Sequence, residues 1–312
     1  MSSVSRYTTA GLFVALAALW GTSFVAARAA LPSVPPLPLA AIRFDLAAVV
    51  VFAYVLRTTE QWRPRTRDGW TGALLGGLLF VAVHHALLFV GQQYVASAVA
   101  AVVVSLDPVL AAGFGWLLLA DERIGPVGVA GLCLGLAGTA VIASPDPDEL
   151  LSADVVGVGL IFLSAAAFAL GAVLTRRYRT DLPVASMQAW MMLLGAALLH
   201  AVERALPVRG FGAVEPSAAA VAAVAYLAVV AGGVGYLLYF ELLDRIGPVE
   251  INLVAYVSPA FAALGGWLLL GERVAPATVA GFLLIVCGFA LVKRRAIREE
   301  ALRTRRRLDR HR

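Results

Sequence analysis

Apolar runs of about 18 to 24 residues follow one another along this chain with only short polar breaks between them: roughly 10–29, 37–56, 70–90, 96–119, 126–143, 155–174, 183–201, 217–240, 247–270 and 276–292. No other feature restricts the possible folds as much. A run of about 20 apolar residues matches the ~30 Å hydrocarbon core of a bilayer. With no water there to take backbone N–H and C=O groups, such a run must close its own hydrogen bonds as a helix. Composition agrees: 61% of the 312 residues are apolar and 14% charged, against roughly 45–50% and about 25% in soluble domains. The expected fold is therefore an all-α integral membrane protein with ten transmembrane helices. The first run, followed by nine more, reads as a retained helix rather than a cleaved signal.

Orientation follows from the basic residues. With the N-terminus cytoplasmic, inner segments hold twenty Lys/Arg and outer segments only Arg204, Arg209 and Arg273. That asymmetry satisfies the positive-inside rule with both termini cytoplasmic. The expected organisation is a cytoplasmic N-terminus (1–9), two five-helix units (10–145 and 155–292) and a basic cytoplasmic tail (293–312), in a bacterial-type inner membrane. Ten basic and three acidic residues lie in that tail, so the positive charge is terminal and suits contact with anionic lipid headgroups. Nucleic acid binding is not expected, because no folded basic surface with base-reading side chains is supplied. Cys133 and Cys287 lie inside apolar runs without metal-ligand spacing and read as core residues.

The chain also says much of its sequence twice. "LDPVLAAGFGWLLLADERIGPVGVAGLCLGLAG" (106–138) lies over "VSPAFAALGGWLLLGERVAPATVAGFLLIVCG" (257–288), pairing Pro108 with Pro259, Trp116 with Trp267, Glu122 with Glu272 and Gly131 with Gly281. Five spans per copy is an odd number, so the second copy enters from the opposite side of the membrane. Such an inverted repeat marks secondary transporters, with the substrate site near the midplane between the halves. The Glu-Arg pairs fall between one helix C-terminus and a proline that suits the first turn of the next helix. They read as local complements to helix dipoles, with a gating ion pair as the alternative.

"LAALWGTSFVAARAAL", "LAAIRFDLAAVVVF" and the block "GGVGYLLYFELLDRIGPVEINLVAYVSPAFAALGGWLLLGERVAPATVAGFLLIVCGFALV", with its weaker first-half copy, resemble the EamA-type branch of the drug/metabolite transporter superfamily. The resemblance covers residues ~10 to 292. It implies ten helices in two inverted EamA repeats around a central cavity, and export of amino acids, other metabolites or drugs.

Polar side chains inside spans are costly and so are functional candidates. Asp107 lies near the middle of the fourth span, beside Pro108, which cannot donate to the carbonyl four residues back and so opens the helix. Its repeat mate is Ser258, beside Pro259. Asp107 reads as a binder of a coupling proton or of a cationic substrate group, or as one half of a buried pair with Arg43 or Arg28. His84 and His85 point about 100° apart, so at most one faces a pathway squarely; one histidine lining the pathway is the reading, with a hydrogen-bonded packing role as the alternative. Two adjacent histidines without a third ligand make a poor metal site, and none is expected. His85 aligns with Tyr236, which inversion sends to the opposite mouth. Arg43 lies about 10 Å into the second span. It could hold a substrate carboxylate bidentately, snorkel outward, or pair with Asp45 or Asp107. Trp20, Ser23, Gln188, Tyr239, Asn252 and Tyr256 are further cavity-lining candidates. Gly128, Gly131, Gly135 and Gly138 share one face of the fifth span and predict close packing against the tenth. Gly232, Gly233 and Gly235 read as a hinge in the eighth.

These observations favour a secondary or facilitative transporter of small metabolites, with protons and membrane lipids as possible partners. A phosphate-sugar or nucleotide-sugar exchanger is the alternative, disfavoured by the single lysine in the chain; a lipid-headgroup flippase is another. An integral membrane enzyme would need a constellation such as His-Glu-x-x-His or paired aspartates, and none is present. No ATP-binding motif occurs and no cofactor is expected.

Overall fold

Each apolar run folds as a helix that satisfies its own backbone, as hydrocarbon demands. The computed structural model describes residues 3–119, 125–143, 152–178, 182–292 and 294. Its helical segments, here α1 to α10, are Ser3–Ala30, Pro36–Thr58, Arg67–Gly91, Ser97–Leu118, Pro126–Ala143, Ala153–Arg177, Val184–Ala205, Ala218–Gly247, Val254–Leu270 and Pro276–Val292. Among the described residues there is no strand. Eight of these segments are long and apolar enough to cross a membrane, while α9 and α10 are apolar helices of 17 residues each. The chain is an integral membrane protein.

Local chemistry sets the boundaries. Proline opens α2, α5 and α10, where a missing N–H costs nothing because first-turn donors have no partner inside the helix. Thr66 and Ser217 cap α3 and α8, their side-chain oxygens accepting from Gly69 N and Ala220 N at 3.1 Å. Two helices contain π-helical turns: Gly77–Val83 in α3 and Tyr226–Val234 in α8. A shift of 151 residues, the offset between Pro108 and Pro259, lays the first over the second.

Proline-linked breaks are less regular than the sequence repeat suggests. Segment α4 divides into Ser97–Val104 and Asp107–Leu118, with the turn at Ser105 and Leu106 just ahead of Pro108. In the second half the turn falls at Asn252 and Leu253, and Pro259 lies inside α9 without ending it. There Ser258 Oγ donates to Val254 O at 2.9 Å, holding the turn across the proline.

The principal helix contacts are reciprocal. Segment α1 lies on α9 and α4 on α6; α2 on α8 and α3 on α7; α1 on α8 and α3 on α6; α2 also packs on α7, and α5 on α10. Exchanging α1–α5 for α6–α10 in order returns the same set of pairs. Side-chain contacts give directions. Asp45 meets His200 and Phe52 meets Trp190, so α2 and α7 run antiparallel. Gly72 faces Met187 and Gly77 faces Gly195, so α3 and α7 run parallel.

The glycine stripe of α5 packs as expected. A Cβ on Gly131 would stand 2.6 Å from Gly288 O, and one on Gly138 would stand 2.6 Å from Gly281 O. Backbone therefore lies against backbone at two places along antiparallel helices. The same stripe corrects the reading of the cysteines. Cys133 lies two residues, about 200°, round α5 from Gly131, and both Cys133 and Cys287 are exposed on the outer surface rather than in the core. Trp116 and Trp267 also turn outward, 43% and 60% exposed.

Candidate functional site

Two turns into α2, Arg43 is carried on the face that also buries Leu39, Ala40, Phe44 and Ala47. It is 7% exposed, so it does not snorkel to the surface. Its guanidinium lies 5.1 Å from the Phe44 ring centre and 5.9 Å from that of Phe89. Neither suggested pairing forms: Asp45 instead receives His200 Nε2 at 2.8 Å, and both Arg43 Nε and Asp107 Oδ1 are buried without a hydrogen-bond partner. Arg28 is engaged elsewhere, donating at 2.8 Å to the carbonyls of Gln92 and Gln93 at the C-terminus of α3, where a cation complements the helix dipole.

The two histidines follow the π-helical turn of α3 and divide as their angular separation requires. His84 is directed toward α6, its Nδ1 3.0 Å from Ser164 O and 2.8 Å from Ser164 Oγ. His85 turns back on the π turn, its Nδ1 3.1 Å from Phe80 O and 3.3 Å from Val81 O. A carbonyl only accepts, so Nδ1 carries a proton in both rings. The His85 ring meets Phe44 edge-on at 4.4 Å, placing it beside Arg43. Tyr236 of α8 also comes within electrostatic reach of Arg43. The repeat-related residues His85 and Tyr236 thus both lie within electrostatic reach of one arginine. Behind Tyr236, Trp20 stacks on Tyr239 and tilts against Tyr236, ring centres 5.6 Å apart in each case, while its Nε1 donates to Ala231 O at 3.3 Å.

A second group lies at the break in α4. Asp107 begins the helix that follows the turn and lies within electrostatic reach of Tyr256 of α9. The Tyr256 hydroxyl is likewise buried and unpartnered, its ring tilted on Phe289 at 4.6 Å. The remaining candidates scatter. Ser23 and Ser258 spend their hydroxyls on Trp20 O and Val254 O of their own helices. Asn252 is exposed at the turn before α9, and Gln188 is half-buried on α7. The hinge glycines are packed in: a Cβ at Gly233 would meet Val50 and one at Gly235 would meet Trp20. The positive-φ break in this region is at Gly247 instead, with φ +84°. Among the described residues no three His, Cys, Asp or Glu side chains gather as a metal would need.

Glu272 does more than its sequence neighbours suggest. Its carboxylate accepts from Ser97 N at 3.1 and 3.0 Å and from Ser97 Oγ at 3.1 Å. It therefore supplies negative charge to the N-terminus of α4, a helix from the other half, rather than to α10 just after it. Its repeat mate Glu122 lies outside the described residues. The partner, 175 residues away, left no local signal in the sequence.

A family model described as the EamA-like transporter family matches residues 8–144 and again 155–294. Relatives include the uncharacterized transporter YvbV of Bacillus subtilis (strain 168), 26% identical over 301 residues and covering 96% of each chain. The uncharacterized inner membrane transporter YedA of Escherichia coli (strain K12) is 30% identical over 284 residues, 90% of this chain and 89% of its own. One crystal structure is alike in fold, with a TM-score of 0.64 at 24% identity over 94% of this chain and 99% of its own.

Proposed function

Because the chain belongs to the EamA-like transporter family, matched in both halves, we propose that it is a secondary transporter of ten transmembrane helices in two inverted five-helix repeats. It works by alternating access and exports small metabolites, such as amino acids or amphipathic cationic compounds. It sits in a bacterial-type inner membrane with both termini cytoplasmic, as the arginine distribution favours. The observation that carries this reading is the reciprocal packing, in which the principal helix pairs, α1 with α9 and α4 with α6 among them, have their counterparts when the two sets of five are exchanged. A molecule so built has two near-equivalent states, one open to each side, as alternating access requires.

The break in α4 supports Asp107 as the coupling group. Discontinuous helices are where transporters place ion and substrate sites, and this carboxyl group has an oxygen without a partner at that break. In the proposed cycle Asp107 takes up a proton or a cationic substrate group when its side of the pathway is open, and releases it after the exchange of states.

The test is efflux of radiolabelled amino acids and organic cations from proteoliposomes at two imposed pH gradients, for wild type and Asp107→Asn. Gradient-driven efflux that the variant loses supports proton antiport through Asp107. Equal, gradient-independent efflux in both proteins would make the molecule a facilitator or exchanger and remove Asp107 from the mechanism.

A further inference from the structure

We propose that Arg43 is the receptor for an anionic group of the transported molecule, so that the substrate is a small carboxylate-bearing solute, a carboxylic acid or zwitterion, and not a simple cation. The inference rests on the transporter reading and narrows its substrate class.

A guanidinium has five N–H donors in a planar fork and no acceptor. Burying one without a counter-ion costs more than burying a paired one. Proteins meet that cost with a carboxylate, and two were within sequence reach of Arg43. Asp45 is bound to His200 at 2.8 Å, and Asp107 makes no ion pair with Arg43, each keeping an unpartnered buried atom. Among the described residues the other polar neighbours do not supply a negative charge: His84 and His85 each donate Nδ1–H to a backbone carbonyl, and Tyr236 is a phenol. The Phe44 and Phe89 rings give the cation two aromatic contacts. These hold the charge in place without using its hydrogen-bonding fork. What remains is a pre-positioned donor set at 7% exposure whose geometric match is a planar oxyanion.

Position separates a solute from a lipid as the source of that anion. Arg43 shares its helix face with residues buried in the protein core, including Phe44 and Ala47 at 0% exposure. A lipid headgroup would have to leave the bilayer surface and enter between α2, α3 and α8 to reach it. A small solute in the pathway between the halves has no such journey. Tyr236, within electrostatic reach of Arg43, packs with Trp20, which stacks on Tyr239, an aromatic cluster that suits a carboxylate carried on an apolar body.

The experiment uses full-length protein, as wild type, Arg43→Lys and Arg43→Gln. Thermal unfolding in detergent is followed with millimolar L-phenylalanine and benzoate, and with their carboxylate-free counterparts phenethylamine and benzamide. Efflux of L-phenylalanine and phenethylamine from proteoliposomes is measured in parallel. The expected result is stabilisation of wild type by the carboxylates alone, weakened in Arg43→Lys and absent in Arg43→Gln, with carboxylate affinity reduced about tenfold or more. Without ligand, Arg43→Gln should unfold at the wild-type temperature or above it, because an unpaired buried charge has gone. A merely structural Arg43 would instead lower the unliganded unfolding temperature, and that result overturns the proposal. So does a wild type stabilised by neither carboxylate, or equally by their counterparts, or an Arg43→Gln protein that keeps the carboxylate response. Transport of phenethylamine but not of L-phenylalanine by wild type refutes the carboxylate and leaves the transporter reading standing. Stabilisation by carboxylates with no efflux of either probe supports the site and counts against the transporter reading.

Discussion

Replacing Gly138 by alanine sets two known effects against each other. Alanine in place of glycine inside a helix stabilises it by about 0.5–1 kcal/mol, because less backbone freedom is lost on folding. Against this, the new methyl group would stand 2.6 Å from Gly281 O, 2.9 Å from Ile285 Cγ1 and 3.1 Å from Leu284 Cβ. The first of these is backbone and cannot rotate away, so α5 and α10 must part by several tenths of an ångström along their shared stripe. Overpacking of this kind costs roughly 1–3 kcal/mol, which outweighs the propensity gain and leaves a net loss of about 1–2 kcal/mol. For a chain of this size that lowers the unfolding temperature by roughly 2–4 °C. Gly131→Ala should cost the same, since its methyl group would meet Gly288 O at the same 2.6 Å. Gly159 on α6 provides the opposite sign, because nothing lies within 4 Å of its added Cβ; Gly159→Ala should raise the unfolding temperature by about 1–2 °C. Thermal unfolding of the three variants in one detergent decides the matter. If Gly138→Ala proves as stable as Gly159→Ala, close backbone approach is not what holds α5 against α10.

Three further outcomes are expected. Glu272→Gln keeps the shape but removes the charge at the N-terminus of α4; it should lose about 1–2 kcal/mol in denaturant unfolding, and no loss would show the contact with Ser97 to be incidental. Tyr226→Phe deletes the hydroxyl that lies 2.6 Å from Thr22 Oγ1 and 3.2 Å from Leu19 O, linking α8 to α1; a destabilisation of about 1 kcal/mol is expected by the same measurement. Asp107→Asn should leave unfolding temperature unchanged or higher while flattening the dependence of efflux on an imposed pH gradient, and a variant that still follows the gradient would transfer the coupling role to another group.

Much of the scaffold was legible in the sequence because hydrocarbon imposes a length. Runs of about 20 apolar residues have only one way to satisfy their backbone, and prolines at 36, 126 and 276 mark three helix starts. The stripe Gly131–Gly135–Gly138 was readable for a similar reason, since residues three and four apart share a helix face. The same arithmetic failed where the helix leaves its period. A π turn at Gly77–Val83 inserts extra residues per turn, so the faces of His84 and His85 cannot be counted from the start of α3. Asp107 was singled out correctly as lying at a break, yet Ser258, its aligned mate, proved to be bonded within its own helix. Cys133 was misplaced because an apolar run does not say which of its faces meets lipid. The role of Glu272 depends on Ser97, and no local pattern links residues so far apart in the chain.

The two glycine contacts between α5 and α10 form an isologous junction: Gly131 meets Gly288 and Gly138 meets Gly281, and in the sequence repeat Gly131 is the counterpart of Gly281 and Gly138 of Gly288. A junction of that kind is self-complementary. The surface that either half offers across it is the surface it would accept from a copy of itself turned upside down, so nothing in this seam requires the two halves to differ. Their individuality lies elsewhere, in Arg43, Asp107 and the histidines, none of which is repeated in the partner half.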